Sequence, residues 1–438
     1  MLLDLELTAP IIIMGLGACF LLMVEVFAKS LNLKTKVSAL SILLSIGSLF
    51  YFKSNFIVGA TAFSGLIYAD PFTWLASLLI LGGSFIALLL GEKSLSKEIP
   101  ASGNEYYSLF MMSISGALIM VAAREMILLF LGLEIMSIAL YCLCAFNLWS
   151  SRSSEAGLKY FLLGSFSSAI FLYGISLIYG LTGSLVISDI SNLLITGNFA
   201  NNTLLYMALG FMLVGFAFKI GLVPFHFWVP DVYQGAPTPV TAFMACVVKV
   251  AAVSVALRGL WVMFGEASIF EHWSHVIWIL SVLTMTVGNL VALRQKSVKR
   301  MLAYSSIAHA GYMFMAFLAP GFGGGSSIIY YLVAYMVMTF GAFGVIIAVS
   351  DSAPEGVEGD EISRFNGVGF SHPVLGILMT IFMFSLAGLP PGLAGFLGKF
   401  YIFNSVIQAD YLGLVIIAVI NSAISCYYYL RVLVAMYF

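Results

Sequence analysis

Long apolar runs alternate with short polar stretches from one end of the chain to the other. A helix that crosses a bilayer needs about 20 predominantly apolar residues. Thirteen segments answer to that description, at 7–27, 37–52, 71–90, 106–123, 126–149, 156–181, 204–229, 239–264, 275–293, 299–319, 326–349, 373–406 and 411–438. The pattern predicts an all-α polytopic membrane protein with 13 spanning helices. The seventh and twelfth segments carry helix breakers in their middles, Gly221 and Pro224 in one and Pro390, Pro391 and Gly392 in the other. The longest polar stretch, 351–372, has too little apolar content for a second domain. The chain therefore reads as one membrane domain, with its first three helices in 1–98 and the rest in 106–264 and 275–438.

Composition agrees with lipid as the main surroundings. Of 438 residues, 61% are hydrophobic and only 9% charged, against roughly a quarter charged in soluble domains. A net charge of −1 offers no basic excess of the kind that binds nucleic acid. The charges that exist are unevenly placed. With the N-terminus outside, thirteen of the 19 Lys and Arg fall on the inner side, among them Lys29, Lys34, Lys36, Arg152, Lys159, Arg300 and Arg431. Only Lys53, Arg124 and Arg258 fall outside. That bias predicts an outside N-terminus. The first six residues hold Asp4 and Glu6 and no base, the reverse of a cleavable signal. The five cysteines lie in apolar runs without histidines at ligand spacing, so no metal site and no cofactor is expected.

The last three lysines, Lys219, Lys249 and Lys399, lie inside apolar segments. A charged side chain at a helix centre costs on the order of 3 kcal/mol on insertion scales, so such residues mark function by default. One acid, Glu134, lies equally deep and is the natural counter-charge. Burial disfavours the charged form of an amine and a neighbouring carboxylate restores it, so a carboxylate that moves changes whether the amine keeps its proton. A static ion pair that fixes packing is the alternative, though one pair would account for one lysine and not three. Lys219 and Lys399 also flank the two breaks, and unwound backbone is tolerated in a membrane only where it lines a polar cavity. The two broken segments stand five apart, which predicts two inverted five-helix repeats, helices 4–8 and 9–13, as in ion transporters.

His226 and His309 fall inside or at the edge of segments. Each suits a proton relay near neutral pH and equally a hydrogen-bonded packing role. Lys159, near the inner end of the sixth segment, either reaches toward Glu134 and Lys219 or extends its stem to the surface; the first is the reading taken. There is no phosphate-binding loop, iron–sulfur cysteine cluster, haem histidine pair or nucleophile with its base.

Two stretches carry a resemblance. Lys219-Ile-Gly-Leu-Val-Pro-Phe-His-Phe-Trp-Val-Pro-Asp-Val-Tyr-Gln-Gly-Ala-Pro-Thr-Pro-Val-Thr-Ala-Phe243 resembles the antiporter-like membrane subunits of proton-pumping NADH:quinone oxidoreductase, respiratory complex I. Asp231 to Thr238, together with Gly388-Leu-Pro-Pro-Gly-Leu-Ala-Gly-Phe-Leu-Gly-Lys-Phe400, is similar to the N type within that family. The M type carries a glutamate where Lys399 stands. The resemblance implies fourteen helices with the seventh and twelfth discontinuous; thirteen are read here, the fourteenth being trimmed or the terminus different. It implies that Glu134 and Lys219 form the family's ion pair, with Lys249 a central relay, Lys399 a terminal lysine, and Lys159, His226 and His309 at polar relay positions. It also implies M- and K-type subunits as neighbours, redox chemistry in other subunits, and a bacterial plasma (inner) membrane.

The function expected from these residues is proton translocation through a buried Glu/Lys relay, coupled to quinone reduction elsewhere in a complex. A cation/proton antiporter subunit is the alternative; a deep acidic Na⁺ site beyond Glu134 would favour it, and none is read. A structural spacer with inert lysines is the third reading.

Overall fold

The computed structural model describes residues 2–27, 31–98, 105–197, 199, 202–351, 360–390 and 392–438. Pro391 lies outside the described residues. Among them are 11 helices long and apolar enough to cross a membrane, with two shorter apolar helices, Tyr106–Ala122 and Pro373–Ala387. Each of the thirteen apolar segments read from the sequence overlaps one of these helices. The described chain divides into two compact units, Met1–Lys219 with Gly235–Ile269, and Ile220–Gln234 with Phe270–Phe438.

In the first unit the spanning helices run Leu2–Phe27, Leu31–Tyr51, Pro71–Glu98, Tyr106–Ala122, Met126–Cys144, Ser151–Thr182, Thr203–Ile220 and Thr238–Phe264. The fourth and fifth spans meet backbone to backbone because each offers a glycine. A β-carbon at Gly132 would stand 2.6 Å from the Met120 amide nitrogen, and one at Gly116 would strike the Met136 amide. Without a hydrophobic drive between helices in lipid, such small residues allow the close contact that holds a pair together. Ser150 begins the sixth span by accepting from the Ser153 amide, and Gly183, at φ 68°, ends it.

Two features were not expected of an all-α chain. Ala60–Ala62 and Ile67–Ala69 pair as a small antiparallel hairpin, and Ile187–Thr196 forms a short extra helix. Both gather at one end of the unit with the N-terminal acids. The Phe63 amide donates to Asp4 (2.7 Å), Asn55 donates to Glu6 (3.3 Å), and Arg124 donates to the Gly65 carbonyl and to Ser188. At the same end Arg258 clamps both carboxylate oxygens of Asp70 at 2.7 and 2.8 Å. Burial pushes the Asp70 carboxyl up, but the Arg258 guanidinium and the Thr73 amide and hydroxyl outweigh it and hold it below its ordinary value. The second span also starts earlier than the apolar pattern suggests, at Leu31 and not 37. Lys34 and Thr35 are buried inside it, so residues assigned to a polar loop are packed against other helices.

The second unit contains Ala267–Ala292, Val298–Leu318, Gly324–Asp351, Pro373–Ala387, Leu393–Gln408 and Leu412–Tyr437. Its ninth and tenth spans repeat the glycine device. A β-carbon at Gly288 would lie 2.7 Å from the Ala308 amide, and one at Gly311 would lie 2.8 Å from the Met285 amide. Ser297 caps the tenth span through the Arg300 amide, and Arg431 closes the end of the ninth by donating to the Leu293 and Gln295 carbonyls. Arg300 reaches Asp231 at 2.7 Å and Gln234 at 3.1 Å, anchoring the helix Trp228–Gly235 that follows the first break.

Candidate functional site

Lys219 is the next-to-last residue of Thr203–Ile220. The helix stops there because Gly221 takes φ +84°, a conformation that only glycine adopts freely. Residues 221–227 are non-helical, and helix resumes at Trp228. The Lys219 ammonium is buried and donates to Ser137 Oγ at 2.6 Å, while the Ser137 hydroxyl donates back to the Leu133 carbonyl of its own helix. The rings of Tyr160, Tyr141 and Phe218 surround the amine with centroids at 5.2, 5.6 and 5.8 Å. Their faces carry negative charge density and favour a cation.

Glu134 stands one helical turn before Ser137 on the same face of the fifth span. Its Oε1 is buried with no hydrogen-bond partner, and no direct ion pair joins it to Lys219. Ser137, not Glu134, receives the ammonium. A carboxylate with an unused oxygen and an amine held by a hydroxyl one turn away form a site in which a short side-chain movement would convert a serine contact into an ion pair.

Lys249 is buried in Thr238–Phe264, where α-helix resumes immediately after a π-helical turn, Met244–Val248. Such turns place one residue outside the regular ladder and recur at functional positions. The Cys144 thiol lies 3.4 Å from the Met244 sulfur, packing that turn against the end of the fifth span. Lys159 is on the sixth span, paired with Glu155 at 2.6 Å, with 40% of its side chain exposed.

In the second unit Lys399 lies in the second turn of Leu393–Gln408. It reaches back across the break, donating to the Ala387 carbonyl and to Ser422 Oγ, each at 2.8 Å, with its amine 5.0 Å from the centre of the Tyr312 ring. Ala387 is the last residue of Pro373–Ala387, so its carbonyl is one that the break leaves without a helical donor. Gly388, at φ +78°, turns the chain there, and a β-carbon on it would stand 2.9 Å from Lys399 Cδ. Pro390 and Gly392 lie in the same break.

His309 is held at both ring nitrogens, Nδ1 to the Tyr331 hydroxyl at 2.6 Å and Nε2 to the Tyr429 hydroxyl at 3.0 Å. Tyr429 in turn meets Ser305. Tyr312, which faces Lys399, accepts from Asn289 at 3.1 Å, and Asn289 also donates to Asn421 and accepts from Tyr428. His226 lies in the first break, just past Pro224, with its Nδ1 buried and without a partner.

The structure therefore brings Lys219 near Glu134 through Ser137, sets His309 beside the Tyr312 that faces Lys399, and leaves Lys159 on an exposed helix face with Glu155. Ser137, Ser422, Asn289, Asn421, Tyr312, Tyr331 and Tyr429 were missed in the sequence. Each is a polar side chain within an apolar run, the signal that should have pointed to them. Among the described residues no group of three or more His, Cys, Asp or Glu side chains could hold a metal ion.

Comparison with known proteins bears on this arrangement. A family model described as NADH:quinone oxidoreductase/Mrp antiporter, TM, matches residues 123–425. The NADH-quinone oxidoreductase subunit N of Trichlorobacter lovleyi is 44% identical over 99% of this chain and 88% of its own length. A chain in the structure of respiratory complex I from Thermus thermophilus with bound aureothin matches 98% of this chain and 90% of its own, at 34% identity and a TM-score of 0.81. A chain of the Mrp complex from Dietzia sp. superimposes with a TM-score of 0.87, covering 99% of this chain and 80% of its own; at 19% identity it shows the fold alone. The chain belongs to the membrane-subunit family shared by NADH:quinone oxidoreductase and the Mrp antiporters.

Proposed function

We propose that this chain translocates protons across an energy-coupling membrane as the N-type, non-redox subunit of an NADH:quinone oxidoreductase, with M- and K-type subunits as its membrane neighbours. Its identity to relatives bearing that name supports the complex, and the Lys219 site supports the role. The observation that carries the role is the Lys219 ammonium on a serine hydroxyl with a buried, unpartnered carboxylate oxygen one turn away. When Glu134 closes on Lys219 the charged amine is held; when it withdraws, the amine in its aromatic cage gives up its proton. Lys249 and Lys399 are the further proton-holding amines, each buried beside a helix irregularity, a π turn for one and a break for the other. His226 and His309 supply proton-passing side chains within the chain, and Lys159, paired with Glu155, takes part from the face of the sixth span. The membrane is a bacterial plasma membrane and the N-terminus faces outward, as the distribution of Lys and Arg favours.

The test is Lys219→Ala in the assembled complex, reconstituted into vesicles. Protons pumped per NADH fall while the complex remains assembled; undiminished pumping rejects the role given to Lys219.

A further inference from the structure

The second span carries a polar stripe that the relay above does not use. Lys34, Ser38, Ser41, Ser45 and Ser48 follow one another at spacings of four, three, four and three residues, which places them along one face of a helix. Lys34, Ser38 and Ser45 are fully buried and Ser41 nearly so. In a spanning helix this is the face where apolar packing residues belong.

The contacts show what the stripe faces. Beside Lys34, Thr35 Oγ1 donates to the Tyr107 hydroxyl of the fourth span at 2.8 Å. Further along, a β-carbon at Gly17 of the first span would lie 2.8 Å from Ser41 Oγ and close to the Met111 methyl. Ser45 donates to the Ser41 carbonyl at 2.9 Å and to the Pro10 carbonyl of the first span at 3.3 Å. The stripe thus runs between the first and fourth spans, where Gly17, having no side chain, lets Ser41 and Met111 come close against the first helix.

One hydroxyl is unsatisfied. Ser38 Oγ is completely buried and has no hydrogen-bond partner, although Thr35 beside the stripe and Ser41 within it are bonded, the latter to the Val37 carbonyl. A buried hydroxyl without a partner costs about 1–3 kcal/mol, which a bound water removes. At one end stand titratable groups. Ser108 of the fourth span donates to Glu25 at 2.9 Å, and its neighbour Tyr107 receives the Thr35 hydroxyl, so the Glu25 carboxyl and Lys34 gather at the same end of the stripe. At the other end Pro10, having no amide hydrogen, leaves the Glu6 carbonyl without its helical donor, and the Glu6 carboxylate accepts from Asn55 at 3.3 Å.

We propose that the first, second and fourth spans enclose a second proton path, in which Lys34 hands a proton to water bound at Ser38 and the hydroxyls of Ser41, Ser45 and Ser48 carry it toward Glu6. Glu25, first protonated from the water at the Lys34 end, returns that proton to the Lys34 amine, and Glu6 releases the carried proton to the water at the other end, so charge and hydrogen balance over the path. The path rests on the proton-moving role of this chain but on none of the residues around Lys219.

The test uses the intact complex in vesicles, with two readouts. Radiolytic hydroxyl-radical labelling reports water beside Met111, a side chain with no exposed surface. In the native complex Met111 oxidises in a dose-dependent way, and in the triple variant Ser38→Ala, Ser41→Ala, Ser45→Ala its oxidation falls several-fold. Protons pumped per NADH fall in that variant, and to the same value in Lys34→Met. A native Met111 that stays unoxidised overturns the path, and so does a triple variant that pumps like the native complex. Lys219→Ala run alongside separates the two accounts: unchanged pumping there sinks the Lys219 reading, while the Met111 labelling still decides the stripe.

Discussion

Lys219 and Lys399 both stand beside an interrupted helix, yet their partners differ in kind. Lys219 precedes its break and turns to another helix, where Ser137 takes its proton donor and Glu134 waits one turn away with a free oxygen. Lys399 follows its break and turns back onto it, using the Ala387 carbonyl that the interruption exposes, with Ser422 as second acceptor. Its hydrogen bonds go to neutral acceptors, and the polar network around Tyr312, on its ring side, is made of Asn289, Asn421, Tyr428 and His309. The same device, a breaker beside a buried amine, therefore sets one amine near a carboxylate and the other on a backbone carbonyl. On the proposed function the first responds to the position of a carboxylate and the second to the shape of the break.

The largest expected effect separates those two controls. Glu134→Gln keeps the size of the side chain and removes its charge, so the Lys219 site loses its switch. Each unit of change in proton affinity alters occupancy about tenfold, and protons pumped per NADH drop steeply with assembly intact. If pumping in Glu134→Gln matches the native complex, the contrast drawn between the sites is wrong. Gly388→Ala strikes the other site through the backbone. Its φ of +78° is unfavourable for any side chain, costing on the order of 1–2 kcal/mol, and the added carbon meets Lys399 Cδ. Thermal unfolding moves to lower temperature and pumping falls; Gly221→Ala, at φ +84°, provides the matching test in the first break.

Ser137→Ala is smaller. It withdraws the hydroxyl acceptor from a buried ammonium, a loss of about 2 kcal/mol, and it allows Lys219 to meet Glu134 directly. The expected outcome is slowed pumping and a shortened Lys219–Glu134 separation in a structure of the variant. An unchanged separation would show that the serine does not hold the two apart.

The smallest effect comes from a charge pair remote in sequence from both lysines, and it serves as a control. Asp70 is held below its ordinary value by Arg258 and Thr73 in spite of burial. A depressed carboxyl contributes stability that is present above its unfolded value near about 3.9 and is lost as pH falls through the folded value. Native protein therefore loses stability as pH drops below about 4, and Asp70→Asn loses less over that window. At neutral pH Asp70→Asn costs about 2 kcal/mol, less than a fully buried pair because about a third of the Asp70 side chain is exposed. Pumping per NADH stays as it was.

Much of the architecture is legible in the sequence because its signals are local. An apolar run long enough to span a bilayer is nearly sufficient for a helix in lipid, and Gly221, Pro224, Pro390 and Gly392 mark the breaks where they fall. A lysine in such a run declares itself by cost alone. Partners are not local. Ser137 is 82 residues from Lys219, and nothing in either segment says that they meet. Ala387 contributes a carbonyl, which every residue has, so its part in holding Lys399 is invisible before folding. Lys34 shows the opposite error: two lysines near a helix start read as a loop, although Lys36 is exposed and Lys34 faces inward with the serines. The hairpin at 60–69 and the helix Ile187–Thr196 were likewise too short to rise above the apolar pattern.

The most direct measurement is the number of protons pumped per NADH by an assembled complex carrying Lys399→Met, a change that keeps the length of the side chain and removes its charge. A proton-holding role for the buried lysines predicts a clear fall in that ratio. A ratio equal to that of the native complex, with the variant fully assembled, would make this lysine inert and contradict the account.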